Sequence, residues 1–127
     1  MPTEEEIFGK VQEALVDALG VDDDEVTPEA TLEGDLGAES IDFLDIIFRL
    51  EKSFDIKIPQ EELFPQEVFA SETFVVDGAF TDEGFEEIQK RVPFVDFSEY
   101  PADRKIEDFR NFLTVDALCK YVASKAA

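Results

Sequence analysis

Three stretches of this chain carry apolar residues at the spacing of an α-helix, and this periodicity limits the fold more than any other feature. The first stretch, residues 4–19, is preceded by Thr3 and followed by Gly20. Thr3 and Glu6 have the spacing of a capping box, and glycine is the usual residue just past a helix end. We therefore predict a first helix over residues 4–19.

A second helix is predicted from Ser40 to about Phe54, and it is unusual because it carries two apolar lines. The first line has the spacing of a core stripe and consists of Phe43, Ile46, Ile47, Leu50 and Phe54. The second line lies on another face among acidic residues and consists of Ile41, Leu44 and Phe48. Either both lines are buried, or the second is a docking surface for a partner protein.

The last helix is predicted from Thr114 to about Ser124, with Thr114 as its cap. Residues 20–39 lack a helical period and are rich in Asp, Gly and Pro, which favours a long ordered loop. Its apolar anchors would be Val26, Leu32 and Leu36.

Residues from about 64 to 112 hold ten of the fifteen aromatic residues, which is not the composition of a flexible linker. Thr81 is expected to cap a helix that ends near Pro93, and a short amphipathic piece covers residues 104–113. The sequence FVVDGAF fits either a turn or a small hairpin. We predict one all-α domain over residues 1–127, a bundle of about four main helices with an aromatic-rich, partly helical insertion.

The formal charge of −21 limits the partners of this chain. An acidic surface repels phosphate backbones and anionic lipids, so we expect neither nucleic acid nor a membrane as partner. It attracts proteins with basic patches instead.

The chain has no histidine, the usual general base, so we expect no enzyme. No signal segment or long apolar run is present, which predicts a cytoplasmic protein, and we expect a monomer.

Residues 35–42, DLGAESID, and the helix that follows closely resemble the modification-site region of acyl carrier proteins. The resemblance continues through FDIKIP and resumes at LTVDALCKYV. It implies that Ser40 carries a covalent 4'-phosphopantetheine, added by a phosphopantetheinyl transferase. Two departures are Glu39, where the family usually has Asp, and an insertion of about fifty residues before the last helix. The insertion indicates a specialised member.

The resemblance implies a function and a pocket. Carriers of this family hold acyl groups as thioesters on the arm and present them to synthase, transferase or ligase enzymes of fatty acid, lipid or polyketide biosynthesis. Between exchanges the acyl chain folds into the bundle, so its pocket here would be lined by Phe43, Ile46, Ile47 and Leu50. Whether phenylalanines fill that pocket, and which acyl group is carried, stays open.

The residues around Ser40 agree with this role on physical grounds. A helix N-terminus favours an anion such as a phosphodiester, and Gly37 allows a tight approach of the loop. Acidic and apolar residues of the second helix would form the docking surface for basic partners. This predicted docking surface consists of Glu39, Ile41, Asp42, Leu44, Asp45, Phe48 and Glu51.

Three functions are the alternatives to an acyl carrier: a calcium sensor, an aminoacyl or peptidyl carrier, and an acidic binding module. The acidic run after Asp22 fails as a calcium loop, because its sixth position is Thr27 rather than glycine, and no metal site is expected. An aminoacyl or peptidyl carrier, or an acidic binding module with Ser40 unmodified, would share the fold.

Cys119 lies on the apolar stripe of the last helix, so we expect a buried small hydrophobe rather than a nucleophile.

Overall fold

The computed structural model describes residues 3–63 and 65–126, without the side chain of Ser40. The α-helices are, in chain order, α1 (Glu4–Leu19), α2 (Ser40–Phe54), α3 (Gln60–Leu63), α4 (Gln66–Phe69), α5 (Asp82–Arg91) and α6 (Val115–Ala126). The strands are β1 (Val75–Val76) and β2 (Ala79–Phe80), and 3₁₀ turns cover Asp23–Glu25 and Ile106–Phe112. The predicted all-α class is confirmed. Phe64, the first residue of the predicted insertion, lies outside the described residues.

The ends of the long helices follow the predicted capping residues. The hydroxyl of Thr3 accepts a hydrogen bond from the Glu6 amide at 3.1 Å, and Gly20 ends α1 in the left-handed conformation with φ of 69°. Helix α6 begins just after Thr114, whose hydroxyl accepts a hydrogen bond from the Ala117 amide. The predicted positions of all three long helices are therefore confirmed, and α6 runs slightly further than expected, to Ala126.

The loop between α1 and α2 is ordered because its apolar residues enter the core. Val26, Leu32 and Leu36 are buried as predicted. The Leu32 amide also donates to the carbonyl of Leu113 at 3.1 Å, and the Val115 amide donates to the carbonyl of Ala30 at 2.9 Å. These bonds join the loop to the residues where the insertion ends and α6 begins.

The FVVDGAF segment is a hairpin, which settles the choice that the sequence left open. Val75 pairs with Phe80 in an antiparallel register. The turn residues Asp77 and Gly78 both have positive φ, 53° and 77°. Two such residues match the right-handed twist of a two-residue hairpin, and Asp-Gly is a favoured pair for it.

The aromatic residues of the insertion pack against one another. The ring of Phe85 lies 5.5 to 6.2 Å, centroid to centroid, from the rings of Phe80, Phe97 and Tyr100. Phe94 also packs against Tyr121 of α6 at 5.1 Å with an edge-to-face tilt. Residues 65–112 therefore build an aromatic cluster that reaches α6.

The buried residues of the insertion belong to the same hydrophobic cluster as those of α1, α2 and α6. Those from the insertion are Val68, Phe80, Ile88, Val92, Val95, Phe97 and Phe109. Burial of apolar surface is the main favourable term in folding. The insertion thus adds to the core of the bundle.

Gly84→Ala is expected to destabilise the protein although alanine is the better helix former. A Cβ at Gly84 would lie 1.9 Å from the carbonyl oxygen of Phe74, so α5 and the hairpin would have to move apart. Overpacking of this kind costs about 1–3 kcal/mol of unfolding free energy, measurable by urea denaturation.

Gly9→Ala in α1 is the matched control, because a Cβ there meets no atom within 4 Å. It should leave the unfolding free energy unchanged or raise it by up to about 1 kcal/mol. A gain of stability in Gly84→Ala would show that α5 does not pack closely on the hairpin.

Candidate functional site

The loop before α2 turns tightly into the helix. Gly37 has φ of 73°, a conformation that side chains other than glycine rarely adopt, and its amide donates to the carbonyl of Glu33 at 3.1 Å. The Ala38 amide donates to the carbonyl of Leu32 at 2.9 Å. These bonds fix the loop that leads directly to Ser40.

Ser40 is the first residue of α2, and Glu39 stands at its N-cap position. The Glu39 amide donates to a carboxylate oxygen of Asp42 at 2.8 Å, which is one half of a capping box. The side chain of Ser40 lies outside the described residues, so the role predicted for its hydroxyl stays a prediction. Its backbone is at the predicted place, at the positive end of a 15-residue helix.

The second apolar line of α2 faces solvent. The exposed fractions are 74% for Ile41, 58% for Leu44 and 56% for Phe48. The alternative that both lines are buried is therefore wrong. Three large apolar side chains exposed along one helix are typical of an interaction surface.

The acids of α2 have partners within the chain. Asp45 accepts a hydrogen bond from Arg49 Nε at 3.1 Å in an exposed ion pair. Glu51 is half-buried and accepts from the amide of Ile58 at 2.8 Å, which ties the end of α2 to the link before α3. Glu51 thus has a structural task besides its predicted place in docking.

The residues predicted to line the acyl pocket occupy two environments. Ile46, Ile47 and Leu50 are buried in the hydrophobic core, with at most 7% exposure. Phe43 is half-buried and lines a surface depression of about 370 Å³. The other lining residues of the depression are Glu33, Gly37, Ala38 and Glu39. This depression adjoins the start of α2.

Perturbed ionisable groups lie away from the start of α2. Tyr121 donates a hydrogen bond to Glu62 at 2.7 Å, and Lys125 pairs with the same carboxylate at 3.0 Å. The Tyr121 hydrogen bond is the largest cause that lowers the pKa of Glu62, against an opposing effect of burial. This contact fastens α3 to α6, so its role is structural.

Cys119 is half-buried, and burial together with nearby Asp116 raises the pKa of its thiol to about 12. A thiol with this pKa is protonated at neutral pH and is a poor nucleophile. The expectation that Cys119 packs as a small hydrophobe agrees with this, although its burial is only partial.

Among residues 3–63 and 65–126, no three His, Cys, Asp or Glu side chains come together as a possible metal-binding group. No helix in the described parts of the chain has the length and apolar character needed to span a bilayer. The cytoplasmic location stays a prediction from the sequence.

Comparison with known proteins identifies the family. Residues 9–69 match the model of the phosphopantetheine attachment site. A stretch of 58 residues is 52% identical to the acyl carrier protein of Rubrobacter xylanophilus and covers 46% of this chain and 72% of that protein. The chain belongs to the acyl carrier protein family. Acyl carrier proteins bear a covalent 4'-phosphopantetheine and are generally non-catalytic.

The matched region of the chain contains the loop before α2 and all of α2 and α3. It ends at the last residue of α4. Residues 70–112 lie beyond it.

One contact near the loop that precedes α2 had no signal in the sequence. Arg110 Nη1 of the insertion lies 2.7 Å from a carboxylate oxygen of Glu33. Neither residue belongs to the resemblance motif, so only folding reveals their proximity.

Tyr121→Phe should change how stability depends on pH, because it removes the main cause of the low Glu62 pKa. Folded Glu62 binds a proton less tightly than the unfolded residue, whose pKa is near 4.5. The carboxylate therefore stabilises the fold above that pH, and the contribution is lost as the pH falls through the folded-state pKa.

We expect Tyr121→Phe to lower the unfolding free energy at about pH 7 and to lower it less at about pH 3. Tyr100→Phe is the control, since the Tyr100 hydroxyl donates to the peptide carbonyl of Lys105, which does not titrate. Its effect should be the same at both pH values. Equal losses in Tyr121→Phe at both pH values would contradict a charged Glu62 as the acceptor.

Proposed function

We propose that Ser40 is the attachment residue for 4'-phosphopantetheine and that the arm holds acyl intermediates as thioesters. The observation that carries this proposal is the position of Ser40. It is the first residue of α2, directly after a loop closed by Gly37, within the region that matches the attachment-site family. A phosphopantetheinyl transferase would load the arm from coenzyme A.

The residues around Ser40 are suited to hold the phosphodiester of the arm. The first amides of α2 and the helix dipole favour an anion at this end. The hydrogen bond from the Glu39 amide holds the Asp42 carboxylate in the first turn of α2. When bound, the group supplies a thiol on a long flexible chain. The protein itself binds and orients this arm, and we propose that it catalyses no reaction of its own.

The exposed side of α2 is proposed as the docking surface for partner enzymes. Ile41, Leu44 and Phe48 offer apolar area at the centre, and acids stand along its rim. The proposed set, Glu39, Ile41, Asp42, Leu44, Asp45, Phe48 and Glu51, is the one that the sequence predicted. Apolar cores with charged rims are typical of protein interfaces. We propose basic partner enzymes of fatty acid, lipid or polyketide biosynthesis.

The proposed acyl pocket lies on the opposite, buried side of α2. Phe43 lines the surface depression, and the buried Ile46, Ile47 and Leu50 would contact the chain. Each buried methylene contributes about 0.8 kcal/mol, so a chain of about six would gain roughly 5 kcal/mol. Because these residues are closely packed in the core, the chain would have to displace existing contacts, and the net gain would be smaller.

We further propose that residues 1–127 form one acyl carrier domain in which residues of about 64–112 are an insertion. Shared burial of the insertion and the bundle supports this. The Gly84→Ala variant tests it by hydrogen exchange. In one cooperative unit, amides of α1 and α6 exchange faster together with those of α5. Faster exchange confined to the insertion would indicate two units.

Ser40→Ala should abolish loading by a phosphopantetheinyl transferase with coenzyme A. Intact-mass measurement should show the mass of one arm on the wild-type chain and none on the variant. Ser53→Ala is the matched control, because Ser53 is an exposed serine in the last turn of the same helix. Circular dichroism would establish that both variants are folded. A folded wild-type chain that stays unmodified would leave an acidic binding module as the better proposal.

Asp45→Lys should slow transfer of an acyl group from a basic partner enzyme, mainly through the association rate. The difference should shrink as salt screens the charges. Asp45 is the better site than Glu51 for charge reversal, because Glu51 also bonds to the Ile58 amide and its loss would disturb the link to α3.

Glu86→Lys on the exposed side of α5 is the control for Asp45→Lys, since it changes the net charge equally at a distant site. It should have a much smaller effect on the rate. Equal slowing by both variants would show that total charge, rather than the α2 surface, governs encounter.

An aminoacyl or peptidyl carrier is the alternative that shares the fold and the arm. The similarity to an acyl carrier protein favours the acyl role. Mass spectrometry of the protein from its own host would distinguish the two, because the attached group identifies the cargo directly.

A further inference from the structure

The insertion contacts the attachment loop through one charged side chain. Arg110, in the 3₁₀ turn Ile106–Phe112, places Nη1 2.7 Å from Oε1 of Glu33. Its Nε also donates to the carbonyl of Glu107 at 3.0 Å. The second bond holds the guanidinium in place, so Glu33 meets a donor that is already oriented.

Backbone hydrogen bonds connect Glu33 to the residues directly before α2, so a displacement of Glu33 would displace the start of this helix. Its carbonyl accepts the amide of Gly37, the left-handed residue of the loop. Both backbone groups of the neighbouring Leu32 are hydrogen-bonded. Its amide donates to the carbonyl of Leu113, and its carbonyl accepts from the amide of Ala38. A shift of Glu33 would therefore be transmitted to Gly37 and Ala38, directly before Ser40.

The same loop lines the depression beside α2. Glu33, Gly37, Ala38 and Glu39 form its wall together with Phe43. The position of the Glu33 side chain, held by Arg110, thus sets one wall of the space next to the modification site. The aromatic cluster of the insertion supports this arrangement, because Phe109 beside Arg110 is 4% exposed.

We infer that Arg110 is a positioning residue for the loading of Ser40 and that it acts through Glu33. This inference rests on the proposed attachment of the arm to Ser40. In this protein residues 65–112 do more than enlarge the core, because Arg110 holds the loop before α2 in the conformation in which Ser40 is modified by the bound transferase. A direct contact between Glu33 and a basic transferase is the competing explanation.

A double-mutant cycle separates the two explanations. The variants are Arg110→Gln, Glu33→Gln and the double variant. The measurements are kcat and the KM for this chain in its loading by a phosphopantetheinyl transferase with coenzyme A in excess. Exposed ion pairs contribute little, so we expect a reduction in kcat of about two- to fivefold in each single variant. The double variant should be no slower than either single one, and KM should stay unchanged.

Arg91→Gln is the matched control, because Arg91 makes an ion pair with Glu87 at the same 2.7 Å on α5. It should leave kcat and KM unchanged. Amide exchange of residues 31–39 should be faster in Arg110→Gln and Glu33→Gln but not in Arg91→Gln. Arg110→Lys, which keeps the charge, should recover part of the kcat.

Two results would overturn the inference. If Glu33 is gripped by the transferase, Arg110→Gln frees its carboxylate and lowers KM, while Glu33→Gln raises KM. If both singles match the wild type in kcat and in exchange, the contact has no role in loading. Failure of the proposed function looks different, since the wild-type chain itself would then take up no arm.

Discussion

Burial of one shared apolar core is the interaction on which the rest of this structure depends. The chain carries a charge of −21, so the acids repel one another and oppose compaction. Apolar burial must exceed that repulsion. The insertion contributes to it with residues such as Ile88 and Phe109, which join the same cluster as Leu15 and Leu50. Residues 65–112, the proposed insertion, are therefore part of what holds the acidic bundle together.

Features set by local sequence could be predicted well. The capping box at Thr3, the glycine after α1 and the cap at Thr114 depend on neighbouring residues, and each is present. The same holds for the cap of α5 at Thr81, whose hydroxyl accepts from the Gly84 amide. The resemblance motif around Ser40 also indicated the start of α2 correctly, because a helix N-terminus is part of what the motif describes.

Features set by distant residues could not be predicted. The first apolar line of α2 has the spacing of a core stripe, but whether the second line is buried too depends on how the other helices pack, and Leu44 is exposed while Leu50 is buried. The ion pair of Arg110 with Glu33 joins residues far apart in the chain, and exposed charges at such distance carry no periodic signal. The second task of Glu51, bonding to the Ile58 amide, was missed for the same reason.

The two faces of α2 would let one helix serve both stability and the proposed exchange with partners. Its buried face is continuous with the core, while its exposed apolar line, the proposed docking surface, faces solvent. A carrier must release each partner quickly, so its contact surface should be small and its encounters fast. Acids around a short apolar line meet both requirements, because charge raises the association rate while the limited apolar area keeps affinity modest. A larger exposed apolar surface would favour self-association instead.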